Sequence, residues 1–266
     1  MKGAFSMKRI LSMTLVLALA LGAVAGVSAQ TSGQEIMEQV YNRPAPDDMT
    51  AEVTMTLTDR RGNQRVREIE QYTMKTADGE KQLMFFTAPA DVRDTSFMTW
   101  SYDDDPDDDQ WIYLPQLNRV RRIASDSKHD RFMGSDFTYD DISGRHPDED
   151  EHELLREEQL DGRDMYVVDS RPKDTSQAPF SRTVTWVDPE RLLGARREYF
   201  DSRDNRYKVL ELQEAAEIDG FWIIERMTMT DESRDHSTTM EIRNARLETG
   251  LDERMFSERT MTRGVR

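Results

Sequence analysis

Four histidines, His129, His146, His152 and His236, are the first residues in this 266-residue chain to weigh for chemistry. His146 and His152 flank Asp148-Glu149-Asp150-Glu151, the residue types of a metal site. Their spacing matches no helical zinc motif, so the stretch reads as a solvated acidic turn. Asp103-Asp104-Asp105-Pro106-Asp107-Asp108-Asp109 invites a calcium ion. A calcium loop needs a glycine at its sharp turn and a distal glutamate, and neither is present. This run lies between two aromatic strands and reads as a hairpin tip. Ser135, in Gly134-Ser135-Asp136, lacks the paired glycines of a nucleophile elbow. The chain has no cysteine, which excludes disulfides, thiol nucleophiles and Cys-ligated metals. There is no phosphate-cradling glycine loop and no dinucleotide fingerprint. The sequence predicts no catalytic site, no metal site and no cofactor.

The apolar residues are more informative. Phe85, Met98, Trp100, Trp111, Tyr113, Phe132, Phe137, Tyr139, Trp186 and Trp222 fall on or beside expected strands or in one long loop. Methionine is abundant, at 16 residues, and suits surfaces that adapt to variable apolar ligands. If one curled sheet carries these side chains, its concave face must be filled by something, and an apolar ligand is the expected occupant. Arg119, Arg121 and Arg122 form a dense basic cluster in an acidic protein. They pair with nearby acids or meet a lipid headgroup or an acidic partner.

The elements that would position these residues follow from periodicity. Ser32 and Glu35 have the spacing of a capping box, and Ile36, Met37, Val40 and Tyr41 recur at helical intervals up to Pro44. One amphipathic helix is expected over about residues 33 to 42. The period then changes to two: Ala51, Val53, Met55 and Leu57 alternate with polar neighbours. Further strands are expected over 66–74, 81–87, 95–102, 110–114, 183–187, 194–200, 207–215, 221–230 and 237–247. Turn signals include Asp78-Gly79, Asp161-Gly162, Asp188-Pro189 and Asp219-Gly220. About eleven antiparallel strands and one helix favour a single sheet that curls on itself. Residues 124–153 break the rhythm, and a loop of that length inside a compact domain is functional or mobile.

Lys2, Lys8 and Arg9, an apolar run from Ile10 to Leu21 and Val27-Ser28-Ala29 describe a secretory signal peptide cleaved after Ala29. Residues 30–266 would then form one exported domain, and the loss of three cations takes the net charge from -16 to -19. That balance argues against nucleic acid. Charged residues at 33% leave no continuous lipid-facing girdle, which disfavours an integral outer-membrane barrel.

Two segments carry a family resemblance. Asp109-Gln110-Trp111-Ile112-Tyr113-Leu114-Pro115, continuing to Arg119-Val120-Arg121-Arg122-Ile123, is one. Phe132-Met133-Gly134-Ser135-Asp136-Phe137-Thr138-Tyr139-Asp140-Asp141 is the other. Together they resemble the LolA-like outer-membrane lipoprotein-sorting family, in the periplasmic branch found beside RND-type exporters. The resemblance implies an incomplete antiparallel β-barrel whose open side is covered by helices and a loop. It also implies a hydrophobic cavity for acyl chains of lipids or lipoproteins. The expected function is a monomeric, non-enzymatic periplasmic carrier, with Phe132 to Asp141 as its movable cover. A sensor of envelope stress on the same fold would usually carry a second domain. A lipid hydrolase would need a nucleophile or metal site.

Overall fold

Ser32 caps the helix as its spacing predicts: its hydroxyl accepts from the Glu35 N–H, and the Glu35 carboxylate accepts from the Ser32 N–H. In this computed structural model the description covers residues 31–265 apart from Asp104 and Pro106, and omits the Gln177 side chain. The expected export signal lies outside the described residues. The helix, α1 (Gly33–Tyr41), buries Ile36 and Met37 against Val168 and Val187. Among the described residues no helix is long and apolar enough to cross a membrane.

Six strands follow as a meander: β1 (Asp48–Thr58), β2 (Gln64–Thr76), β3 (Gly79–Ala88), β4 (Ser96–Tyr102), β5 (Asp109–Leu114) and β6 (Arg119–Arg122). Residues 123–149 then cross over, carrying the short helix α2 (Tyr139–Ser143). A second meander follows: β7 (Asp150–Leu160), β8 (Arg163–Pro172), β9 (Arg182–Asp188), β10 (Leu193–Phe200), β11 (Arg206–Ile218), β12 (Phe221–Asp231) and β13 (His236–Leu247). All thirteen make one antiparallel sheet in the order β6-β5-β4-β3-β2-β1-β13-β12-β11-β10-β9-β8-β7. The sheet is open, because β6 and β7 are its free edges. The expected count of eleven was low. The four residues of β6 include three arginines, and β7 is mostly charged, so hydrophobic alternation is weak at both edges.

Register assigns the faces, since side chains alternate along every strand. Val53 lies opposite Ile69, Ile69 opposite Phe86, Met84 opposite Phe97 and Phe97 opposite Ile112. On the other side of β1, Met55 lies opposite Met240 and Met240 opposite Met227. These residues share what we call the inner face, and the crossover packs on it. Leu83, Met98 and Trp111 lie opposite one another on the outer face. There the C-terminal tail, ending in α3 (Glu258–Arg263), covers them with Phe256 and Met261.

Since hairpins make every strand connection except the crossover, the turns fall on two rims. One rim carries residues 59–63, 89–95, 115–118, 173–181, 201–205 and 232–235. The other carries residues 77–78, 103, 105, 107–108, 161–162, 189–192 and 219–220.

Asp48, at the start of β1, holds the tail where it leaves β13. Its carboxylate accepts from the Thr249 N–H (2.7 Å) and hydroxyl (2.6 Å) and from the N–H groups of Gly250 (2.8 Å) and Leu251 (3.1 Å). Burial pushes the Asp48 pKa up, but these hydrogen bonds outweigh it and hold the pKa below the usual carboxylate value. The resulting stability is therefore present above the unfolded pKa and lost as pH falls through the folded one. Asp48→Ala leaves several donors unpaired and should cost about 2–4 kcal/mol in urea unfolding at neutral pH. The deficit should shrink in acid, with the tryptophan fluorescence of the tail-covered face changing in parallel.

Candidate functional site

The inner face is covered at its centre by a small hairpin of the crossover. Phe132 N–H donates to the Phe137 carbonyl (2.8 Å), and Tyr139 N–H donates to that of Asp130 (3.2 Å). Met133 and Gly134 turn the chain with positive φ angles of 50° and 76°, so the glycine relieves the second of two left-handed positions. Phe132 and Phe137 are fully buried. The Phe132 ring lies 5.1 Å from Phe97 and 6.0 Å from Phe86, and Tyr139 lies 5.5 Å from both Phe97 and Phe132. These offset and edge-on geometries suit aromatic packing.

Two carboxylates anchor the hairpin, Asp136 fully buried and Asp141 largely so. Asp136 meets His236 Nδ1 at 2.6 Å, accepts from the Thr238 hydroxyl at 2.7 Å and faces Arg234 Nη1 at 3.3 Å. Asp141 accepts from Lys208 Nζ (3.0 Å), the Tyr199 hydroxyl (3.0 Å) and the Thr138 N–H (2.9 Å). Lys208 also donates to the Asp136 carbonyl (3.3 Å), so one ammonium ties both ends of the segment to β11. Burial pushes the Asp141 pKa up, yet the Lys208 charge and the hydrogen bonds bring it below the usual value. Tyr199 is displaced far upward by burial and by the Asp141 charge. Arg67 donates to the Met133 carbonyl at the hairpin tip.

At the other end of the crossover, Asp107, Lys128, His129, Asp140, Arg145 and Glu149 help line a cavity of about 360 Å³. His129 Nδ1 lies 3.0 Å from Asp140, and Arg145 lies 2.8 Å from Glu149 and 3.0 Å from Asp150. Burial, with Asp140 and Asp150 nearby, pushes Glu149 up to about 7 against the opposing pull of Arg145. Among the described residues no group of three or more His, Cys, Asp or Glu is arranged to hold a metal ion.

The register divides the residues expected to line one cavity. Phe132, Phe137 and Tyr139 gather on the inner face. Phe85, Met98, Trp100, Trp111 and Tyr113 lie on the outer face, with Trp100 and Trp111 edge-on at 5.1 Å. Trp186 donates to Glu158 and sits beside Arg196, while Trp222 lies 4.7 Å from the Arg191 guanidinium. Arg122 pairs with Asp109. Arg119 and Arg121 are exposed and form no ion pair among the described residues. Sequence reasoning named His236, and Asp136 and Asp141 within the second motif, without giving any of them an anchoring role, and it missed Tyr199 and Lys208. A usable signal was Lys208 standing next to Val209 at the start of an otherwise alternating strand.

A family model described as an uncharacterized protein matches residues 78–263. The crystal structure of a DUF1329 family protein from Desulfovibrio piger is 31% identical, with a TM-score of 0.79 over 86% of this chain and 97% of its own. This chain belongs to the DUF1329 family. Another similar structure, from Vibrio parahaemolyticus, is 30% identical, with a TM-score of 0.80 over 86% of this chain and 98% of its own. It is named for an outer membrane lipoprotein-sorting protein domain. A LolA superfamily protein from Nitrosomonas europaea is 17% identical, with a TM-score of 0.67 over 86% and 99% of the two chains, so it shares the fold. No curated protein matches the chain. The DUF1329 chain described here therefore has a LolA-like architecture, as the sequence motifs imply.

Lys208→Met leaves Asp141 buried without its counter-charge and should cost about 3–5 kcal/mol at neutral pH. Asp141→Asn in the same protein should recover part of that loss; urea unfolding of the single and double variants measures both. For Glu149 the sign is reversed. Its raised pKa makes its charge a burden above neutrality that is relieved as pH falls through about 7. Glu149→Gln should therefore raise the melting temperature at about pH 8 and change it little at about pH 5.

Proposed function

We propose that this protein is a periplasmic carrier that takes acyl chains of lipids or lipoproteins onto its inner face and passes them between envelope membranes. The observation that carries this reading is the crossover hairpin, whose Phe132, Phe137 and Tyr139 lie on the apolar inner face like guests rather than strands of the sheet. An acyl chain would compete with these rings for Phe86, Phe97, Met55 and Met240. The likeness to the Vibrio domain named for lipoprotein sorting and the LolA-like fold support the same reading. The export signal read in the sequence supports the periplasm.

Burying about 15 methylenes at about 0.8 kcal/mol each releases roughly 12 kcal/mol gross. Unopposed, that would hold the cargo too tightly for a carrier, so the hairpin's own contacts serve as the opposing term. In this reading the outer aromatics Phe85, Met98, Trp100, Trp111 and Tyr113 hold the tail rather than cargo. Arg119 and Arg121, on the edge strand beside the crossover, meet the headgroup or an acidic membrane partner, with an RND-type exporter as the candidate donor.

Phe137→Ala removes part of what the acyl chain must displace. In protein shown to be folded, uptake of a fluorescent fatty acid should tighten by about tenfold or more, the equivalent of about 1.4 kcal/mol. Unchanged or weaker uptake overturns the exchange.

A further inference from the structure

The two rims differ in charge. The rim with Asp103, Asp105, Asp107 and Asp108 also carries Asp78, Asp161, Glu190 and Asp219 and offers Arg191 as its turn cation. On the opposite rim, Arg60 and Arg61 project from the β1–β2 turn and Arg65 from the first residues of β2. Arg119 begins β6 after the β5–β6 turn on that same rim. All four are exposed, and none forms an ion pair among the described residues. The rim is not free of acids: Asp59, Asp91, Asp94, Asp174, Asp201, Asp204, Glu232 and Asp235 also stand there, beside Arg93, Lys173, Arg203 and Arg234. Asp201 is turned onto its own loop through the Arg203 and Asn205 N–H groups, and Asp204 pairs with Arg182. Asp59 is turned onto its own loop through the Arg61 and Asn63 N–H groups, and Glu232 is held by Arg206.

Two of the four large exposed apolar side chains among the described residues stand at the same rim. Leu117, 59% exposed, tips the β5–β6 turn, and Val66, 44% exposed, lies beside Arg65. Arginines interleaved with isolated apolar tips suit a lipid interface, where the guanidinium meets phosphate and the apolar tip enters the acyl boundary. A protein with net charge -16 is repelled by an anionic membrane unless its cations are segregated onto one surface.

We propose that the rim bearing Arg60, Arg61, Arg65, Arg119 and Leu117 docks on an anionic phospholipid surface, with the acidic rim directed away. The separate apolar tips favour a membrane over an acidic protein, and the depression between the β1–β2 and β12–β13 turns, lined by Asp59, Arg60, Arg61, Arg234 and Asp235, is mixed in charge rather than a cationic groove for an acidic chain. Arg67 binds the Met133 carbonyl two residues along β2 from Arg65, so docking would place the tip of the crossover hairpin beside the membrane. This inference rests on the distribution of charge and apolar exposure and does not depend on the cargo.

The test is flotation of the purified protein with vesicles of phosphatidylcholine alone or with one-third phosphatidylglycerol. Binding to the anionic vesicles only, lost at high salt, is expected. Arg60→Gln/Arg61→Gln/Arg65→Gln should lower the partition coefficient by about a hundredfold, as three interfacial cations imply. Leu117→Asp should lower it independently, and circular dichroism confirms that both variants are folded. Equal binding to both vesicle types, or undiminished binding by both variants, overturns the proposal. Competition by inorganic phosphate at constant ionic strength would reassign the arginines to a soluble anion. Rim-dependent capture of an acidic protein without vesicle binding would reassign them to a protein partner. Failure to bind vesicles with fatty-acid uptake intact would sink the docking and leave the carrier standing; the opposite pattern would do the reverse.

Discussion

An open sheet with one apolar face must have that face covered, and here the chain has to cross it. After β6 the polypeptide stands at one edge, and its next strand, β7, forms the other. Residues 123–149 therefore pass over the inner face. The aromatic content of that segment then becomes core: Phe132 and Phe137 are as buried as any strand residue. Helix α1 covers the β7–β9 part of the same face, and the tail takes the opposite side. The three coverings meet three different demands of one sheet.

The crossover is held differently from the strands. A strand is fixed by a ladder of backbone hydrogen bonds, whereas the hairpin depends heavily on side chains: Lys208, Tyr199, His236, Thr238 and Arg67. Buried ionic anchors contribute little net stability over an apolar alternative, but they are costly to break singly and they fix one geometry. Such an attachment specifies position without the cooperativity of a sheet. It can be released by rearranging a few side chains while the sheet keeps its register.

Much of this was legible from the residues. The capping box at Ser32 placed α1 to within one residue of its observed end, and period-two alternation located β1 and the meander after β9. The break in rhythm after Ala124 marked the crossover. What the sequence did not reveal was which face each strand presents. Phe97 and Met98 are neighbours in the chain and lie on opposite sides of the sheet. Parity within a strand is visible, but parity between strands depends on register and on bulges such as those between Leu154 and Arg156 or Gly194 and Arg196. The anchors were hidden for another reason. Asp136 and Asp141 read as surface residues until Lys208 and His236, contributed by distant strands, supply their partners.

The pairing of β1 with β13 has a consequence for the order of assembly. Each meander joins strands that are neighbours in sequence, whereas this seam joins the start of the domain to its end, with Met55 opposite Met240. Loop closure over that separation comes late relative to local hairpins. A chain threaded through a membrane amino-terminus first would expose the unpaired side of β1 until almost the last strand emerged. The same seam makes the architecture nearly cyclic. Joining the ends across it and cutting the crossover would turn the two meanders into one uninterrupted run from β7 to β6.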